Sequence, residues 1–299
     1  MKHKWTVFLT MSFILLIIIA CSKQDDFPIL KNPYLGQKPP GMTPEIFAPG
    51  IISTEESLEA GCTFTPDLKE FYFVRGKSMK HKPAIMVCRE TKDGWTIPEV
   101  APFSGGYFDF EPHVTPDSTK MFFMRFDRSD NSVQRGLWIM ERVGDGWGEP
   151  RFHGPGMYVT ATHDGTIYYT SSDEDEGVVR SGFVNGRYLE PEVVGGGVNT
   201  PYPGAHPCIS PDESFIVFDS RRPSEKSESD LYVCFRNEDG TWGDAFYLGD
   251  ALNDGPKNCA ALSPDGKYLF YTFFKSDSDA DIYWVDAKII EELKPASLK

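Results

Sequence analysis

Three carboxylates, two imidazoles and three guanidiniums stand at matching places along this 299-residue chain. Glu59, Glu111, His113 and His206 fall near the start of one class of aromatic-rich segment. Arg75, Arg125, Asp219 and Arg221 fall at the end of the segment that follows it. Tyr158, Tyr202, Lys257 and Asn258 occupy the same kind of position. Two carboxyl groups held roughly 5–10 Å apart, one protonated and one ionised, can cleave a glycosidic bond. Glu59, Glu111 and Asp219 are residues of that type. Tyr107, Phe108 and Tyr202 offer flat faces on which a sugar ring can stack. Arg125 can hold an anion or hydroxyl pair through a bidentate contact. The same side chains can instead satisfy backbone groups or close ion pairs between strands. No CxxC or Cys/His spacing suggests zinc, and two histidines are too few for a metal cluster, so no metal or other cofactor is expected.

These residues need a scaffold, and the sequence supplies one by repetition. "CTFTPDLKEFYFVRG" at Cys62, "HVTPDSTKMFFMRF" at His113, "VTATHDGTIYYTSS" at Val159, "CISPDESFIVFDSR" at Cys208 and "AALSPDGKYLFYTFF" at Ala260 are five copies of one pattern. Their turn aspartates, Asp67, Asp117, Asp164, Asp212 and Asp265, recur every 47 to 53 residues. A period near 50 signals a propeller or an array. A third strand follows in "AIMVCRE", "LWIMERV", "DLYVCFR" and "DIYWVDA", with "VVRSGFV" as a degenerate copy. A short outer segment ends each unit: "IPEVAPF", "EPRFHGP", "EPEVVGG" and "DAFYLGD". Four strands per unit make one propeller blade.

The fifth unit lacks its outer segment and runs into "AKIIEELK", which has a helical pattern. "TPEIFAPG", at Thr43–Gly50, matches the missing piece. The expected fold is therefore all-β, a five-bladed β-propeller over residues 43–288, with its last blade closed by residues 43–50 and a helical tail at 289–299. Closure of this kind leaves no open sheet edge.

Ser/Thr-Pro-Asp-Gly followed by an aromatic strand resembles the Pro-Asp type of WD-like repeat, as in the TolB C-terminal propeller. The resemblance spans nearly all of residues 43–286. It implies the fold and little about activity. TolB-like proteins carry six blades and a preceding α/β domain; this repeat pattern has five and no such domain, so a Tol-system role is not implied.

The amino terminus is a separate element. Lys2 and Lys4 precede "VFLTMSFILLIIIA" and Cys21. About 14 apolar residues are short for a membrane span and suit a signal-peptide core. "IIAC" at Ile18–Cys21 resembles a bacterial lipoprotein signal, which implies cleavage before Cys21, acylation at Cys21 and a membrane held through that lipid. Residues 21–42 are expected to be the lipidated Cys and a tether. Ser22, rather than Asp, points by the same resemblance to the outer membrane, periplasmic or surface-exposed. The formal net charge is −14, and about −16 once residues 1–20 are removed, which disfavours nucleic acid as a partner. Five cysteines remain beyond Cys21. An odd number forbids full pairing; the pattern leaves open whether Cys208 and Cys259 pair.

Short uniform Pro-Asp turns on one face, and long varied loops and connections on the other, place the candidate ligand site on the loop-rich face. Its expected residues are Glu59, Arg75, Glu111, His113, Arg125, Tyr202, His206, Asp219, Arg221, Lys257 and Asn258. The expectation is an exported binding module for a glycan or a protein. The alternatives are a carbohydrate-active hydrolase or lyase and an envelope scaffold. "DSDAD" at Asp277–Asp281 lacks the Gly and distal Glu of a calcium loop, and no GxSxG or phosphate-binding Gly loop is present.

Overall fold

The computed structural model describes residues 27–298 apart from positions 56, 131, 174 and 222–228. The leader, Cys21 and the acidic stretch after it lie outside the described residues. Each repeat begins at its turn, and the turn chemistry explains the motif. Asp67, Asp117, Asp164, Asp212 and Asp265 each accept, through Oδ1, the backbone NH two residues on. The Ser or Thr two residues before the Asp accepts the first NH of the next strand in four copies, at Thr65, Thr115, Ser210 and Ser263. A short side-chain acceptor thus closes each turn locally.

The strands follow in chain order. β1 (Glu45–Ile46) comes first. The first unit holds β2 (Leu58–Phe64), β3 (Glu70–Gly76), β4 (Ala84–Thr91), β5 (Gly94–Trp95) and β6 (Glu99–Val100). The second holds β7 (Phe108–Val114), β8 (Lys120–Phe126), β9 (Gly136–Val143), β10 (Gly146–Trp147) and β11 (Arg151–Gly154). The third holds β12 (Met157–Ala161), β13 (Ile167–Thr170), β14 (Val178–Ser181), β15 (Phe183–Val184), β16 (Arg187–Tyr188) and β17 (Glu192–Val193). β18 (Gly204–Ile209), β19 (Phe215–Ser220), β20 (Asp230–Arg236) and β21 (Trp242–Tyr247) form the fourth. β22 (Lys257–Leu262), β23 (Tyr268–Ser276) and β24 (Asp279–Asp286) end the series before a short helix, α1 (Lys288–Leu293). The described residues are all-β with almost no helix.

Each unit is an antiparallel ladder of the same design. β2, β3, β4 and β6 pair in turn, as do β7, β8, β9 and β11. β12, β13, β14 and β17 repeat it, then β18 to β21. β22, β23 and β24 make a three-strand ladder. The free side of β24 takes β1, with Glu45 opposite Trp284 and Ile46 opposite Tyr283. The first strands contact one another in chain order, β2 to β7, β12, β18 and β22, and β22 also contacts β2.

The second strands carry the core. Phe71, Tyr72, Phe73 and Val74 are all buried, although alternate residues point to opposite faces of a strand. Both faces of the sheet are therefore covered by neighbouring sheets, and a continuous apolar run suits that position better than alternation. Phe47, just after β1, is 0% exposed. Its ring lies 5.2 Å from that of Phe270, 5.0 Å from Trp284 and 5.3 Å from Phe71. The segment before β1, expected to be tether, also packs inward. Tyr34 and Leu35 are buried, Tyr34 Oη donates to Asp265 at 2.6 Å, and Trp95 donates to the Asn32 carbonyl. Apolar side chains at Tyr34 and Leu35 gain more from burial than a tether gains from freedom.

Candidate binding site

The site begins with a backbone irregularity. Every first strand has a register shift that leaves one or two residues unpaired. In each shift one residue adopts the left-handed region: Gly61 (φ 44°), Glu111 (58°), Tyr158 (52°), His206 (44°) and Cys259 (53°). Only glycine enters that region freely, so four of the five sheets hold a strained residue at the same place.

These five positions converge. A Cβ on Gly61 would lie 3.4 Å from Glu111 Cα. The Tyr158 NH donates to Glu111 Oε2 at 2.9 Å. The Tyr158 and His206 rings meet edge to face with centroids 5.3 Å apart. His206 Nε2 stands 3.8 Å from Glu111 Oε1. One donor atom each from Glu111, His206 and Cys259 falls within 4.8 Å of the others. His206 Nδ1 is 2.8 Å from Asp219 Oδ1, and Ser229 donates to the other Asp219 oxygen at 3.1 Å. Burial alone would lower the His206 pKa, but the Asp219 and Glu111 carboxylates outweigh it and raise it to about 9. Burial pushes the Glu111 carboxyl above the usual range, and His206 opposes that.

His113 has a different position. Its Nε2 accepts the Ala161 NH at 3.1 Å, so it joins the second ladder to the third. Thr63 accepts the Val114 NH and Thr160 accepts the Ile209 NH in the same way. Burial lowers the His113 pKa to about 4, which keeps the ring neutral and able to accept. Glu59 is 0% exposed; it takes Arg75 Nε at 2.9 Å and both the NH and the hydroxyl of Thr54. Arg75 also caps the Ile51 and Ile52 carbonyls. Arg125 binds Asp109 at 2.6 Å and the Phe103 carbonyl, and lies 4.7 Å from the Tyr107 ring centroid. These two ion pairs pin connections in place rather than face a ligand.

A cavity of about 950 Å³ opens beside the convergence point. Six of the expected residues line it: Tyr202, His206, Asp219, Arg221, Lys257 and Asn258. Glu59, Arg75, Glu111, His113 and Arg125 do not. Tyr202 is 41% exposed. Lys257 is 1% exposed; its ammonium is held by Asp254 at 2.5 Å and the Gly255 carbonyl at 3.0 Å, over the Phe273 ring. Asn258 Oδ1 is buried and has no hydrogen-bond partner among the described residues. Arg135, Met79, Met124, Met157 and Phe274 also line the wall. Arg135 and Met157 belong to the long loops and connections, which was the available signal. Met124, within β8, gave none. All five described cysteines are buried and free, so Cys208 and Cys259 are not bridged.

No family model and no curated protein matches the sequence. Solved structures do. A thermostable family-43 glycoside hydrolase superposes with a TM-score of 0.52 at 12% identity, covering 77% of this chain and 89% of that one. A TolB-assigned protein from Agrobacterium tumefaciens gives 0.47 at 17% identity, covering 77% of each chain. An exo-1,5-α-L-arabinanase from a bovine ruminal metagenomic library gives 0.47 at 10% identity, covering 77% and 93%. The first of these likenesses supports a propeller fold and, at that identity, nothing about activity.

Proposed function

We propose that the chain is a five-bladed propeller that binds a glycan, without acting on it, in the cavity beside Tyr202. In this reading the five ladders are blades, and residues 43–50 complete the last one through β1. The return contact of β22 to β2 supports a closed ring. Residues 1–20 direct export, Cys21 carries the lipid, residues 43–288 fold as the propeller and 289–299 form its tail. The protein then sits at the cell envelope, held at the outer membrane.

One observation carries the binding reading: the exposed aromatic face of Tyr202 shares one recess with the side chains of Arg135 and Arg221. Concave sites pair apolar surface with a few oriented polar groups. Tyr202 supplies the stacking face, and Arg221 and Arg135 supply donors for sugar hydroxyls. A protein partner would need a flatter patch of about 800 Å² per side, so the recess favours a glycan.

A carbohydrate-active enzyme is the second reading, and one feature favours it. Glu111 and Asp219 flank the same imidazole, and burial biases Glu111 toward its protonated form. A glycan panel assayed for both binding and turnover separates the two. Tyr202→Ala should weaken binding of the best glycan about tenfold or more, with no turnover by the wild type. Turnover that falls 10²–10⁴-fold in Glu111→Gln would replace the binding reading with the enzymatic one. Binding unchanged by Tyr202→Ala would remove this cavity as the site.

A further inference from the structure

We propose that Glu111, His206 and Cys259 form a zinc site at the convergence of the first strands, beside the cavity. The three donors come from β7, β18 and β22, three separate ladders. Each occupies the left-handed bulge position of its strand, so one backbone device turns all three side chains to a common point. Their donor atoms lie within 4.8 Å of one another. Tetrahedral zinc, with bonds of about 2.0–2.3 Å, places its ligand atoms roughly 3.3–3.7 Å apart. Small side-chain rotations cover the difference without moving the strands.

The second atom of each bifunctional ligand is already committed. Asp219 holds His206 Nδ1, leaving Nε2 as the donor, in the carboxylate–histidine arrangement that orients metal-bound imidazoles. The Tyr158 NH occupies Glu111 Oε2, leaving Oε1. Asp219 is thus a positioning residue. A set of one sulfur, one nitrogen and one carboxylate oxygen suits zinc and disfavours magnesium or calcium, which take oxygen ligands. On binding, the Cys259 thiol gives up its proton to form the Zn–S bond as thiolate, and the His206 imidazolium gives up its Nε2 proton to free that nitrogen, both protons going to the buffer. His206 also lines the cavity, so the cavity reaches one of the three ligands. This site stands on the strand bulges and does not depend on the glycan reading.

The test is zinc titration of the purified full chain against a chromophoric chelator, with cobalt as a spectroscopic substitute. Wild type should take up one equivalent of zinc. Cobalt should show a thiolate charge-transfer band that vanishes in Cys259→Ser. His206→Gln and Cys259→Ser should each weaken zinc binding at least 100-fold, and Asp219→Asn 10–100-fold. Cys88→Ser, a buried thiol on β4, should change nothing. Should His206→Gln fail to fold, Glu111→Gln is read in its place with the same expectation. No stoichiometric uptake overturns the proposal. So does uptake that survives both His206→Gln and Cys259→Ser within twofold, or a charge-transfer band that depends on Cys88.

Discussion

Gly61 donates its backbone NH to the Thr272 hydroxyl at 3.0 Å, across a sequence separation of 211 residues. The contact joins the first ladder to the last at the point where β2 leaves regular pairing. His206 NH to Thr170, and Tyr158 NH to Glu111, do the same elsewhere. The bulges that aim side chains inward expose amide donors, and a neighbouring sheet accepts each of these three.

Thr272 is buried, so Thr272→Val removes the acceptor with little change in shape. An unsatisfied buried NH costs about 1–3 kcal/mol, and that loss should appear in chemical denaturation. Thr160→Val should cost a similar amount, because Thr160 both accepts the Ile209 NH and donates to the Pro207 carbonyl. A loss under about 0.5 kcal/mol in both would mean that these contacts do not hold the ladders together.

Phe47 tests closure by the amino-terminal segment. It is enclosed by Phe71, Phe270 and Trp284, rings of the first and last ladders. Phe47→Ala should destabilise by about 3–5 kcal/mol, and deletion of residues 43–50 should lower Tm further and promote aggregation through the exposed β24 edge. Equal melting temperatures for the deletion and the full chain would contradict closure.

His153 gives a pH signature away from the site. Its ring packs edge to face against Phe122 and Tyr188, at 5.4 and 4.9 Å. Burial holds its folded pKa below the ordinary 6.5. The unfolded chain therefore takes up the proton first as pH falls. The stabilisation is complete above pH about 6.5 and is lost as pH drops toward the folded value. His153→Phe should flatten stability against pH between 7 and 5. Parallel curves for variant and wild type would show that the ring is not desolvated.

The repeat, the ladders and the partnering of residues 43–50 with the last one were legible because turn chemistry and strand pattern are local signals. The inner cluster was legible only in part. Glu111, His206 and Asp219 were marked by position, yet nothing local joins Glu111 to the other two: it lies on β7, they lie on β18 and β19 of another sheet, and the spacing between Glu111, His206 and Cys259 resembles no metal motif. Cys259 entered the sequence reading only as an undecided partner for Cys208. The bulges are invisible in composition, since the left-handed residue is Gly in one copy and Glu, Tyr, His or Cys in the others. Glu59, Arg75 and Arg125 have the residue types of a ligand site but are consumed by ion pairs between paired strands, Glu59 with Arg75 and Asp109 with Arg125, a distinction that only burial and distance reveal.

Ligand-dependent footprinting tests the binding claim most directly. The full chain is oxidised by hydroxyl radicals with and without a saturating concentration of the best glycan from the panel, and the modified side chains are mapped by mass spectrometry. The account predicts protection at Tyr202, Met79 and Met157, which line one cavity, and none at Tyr107, whose ring lies against Arg125 outside it. Protection at Tyr107 or on the Pro-Asp turn face, with Tyr202 unaffected, would contradict the account.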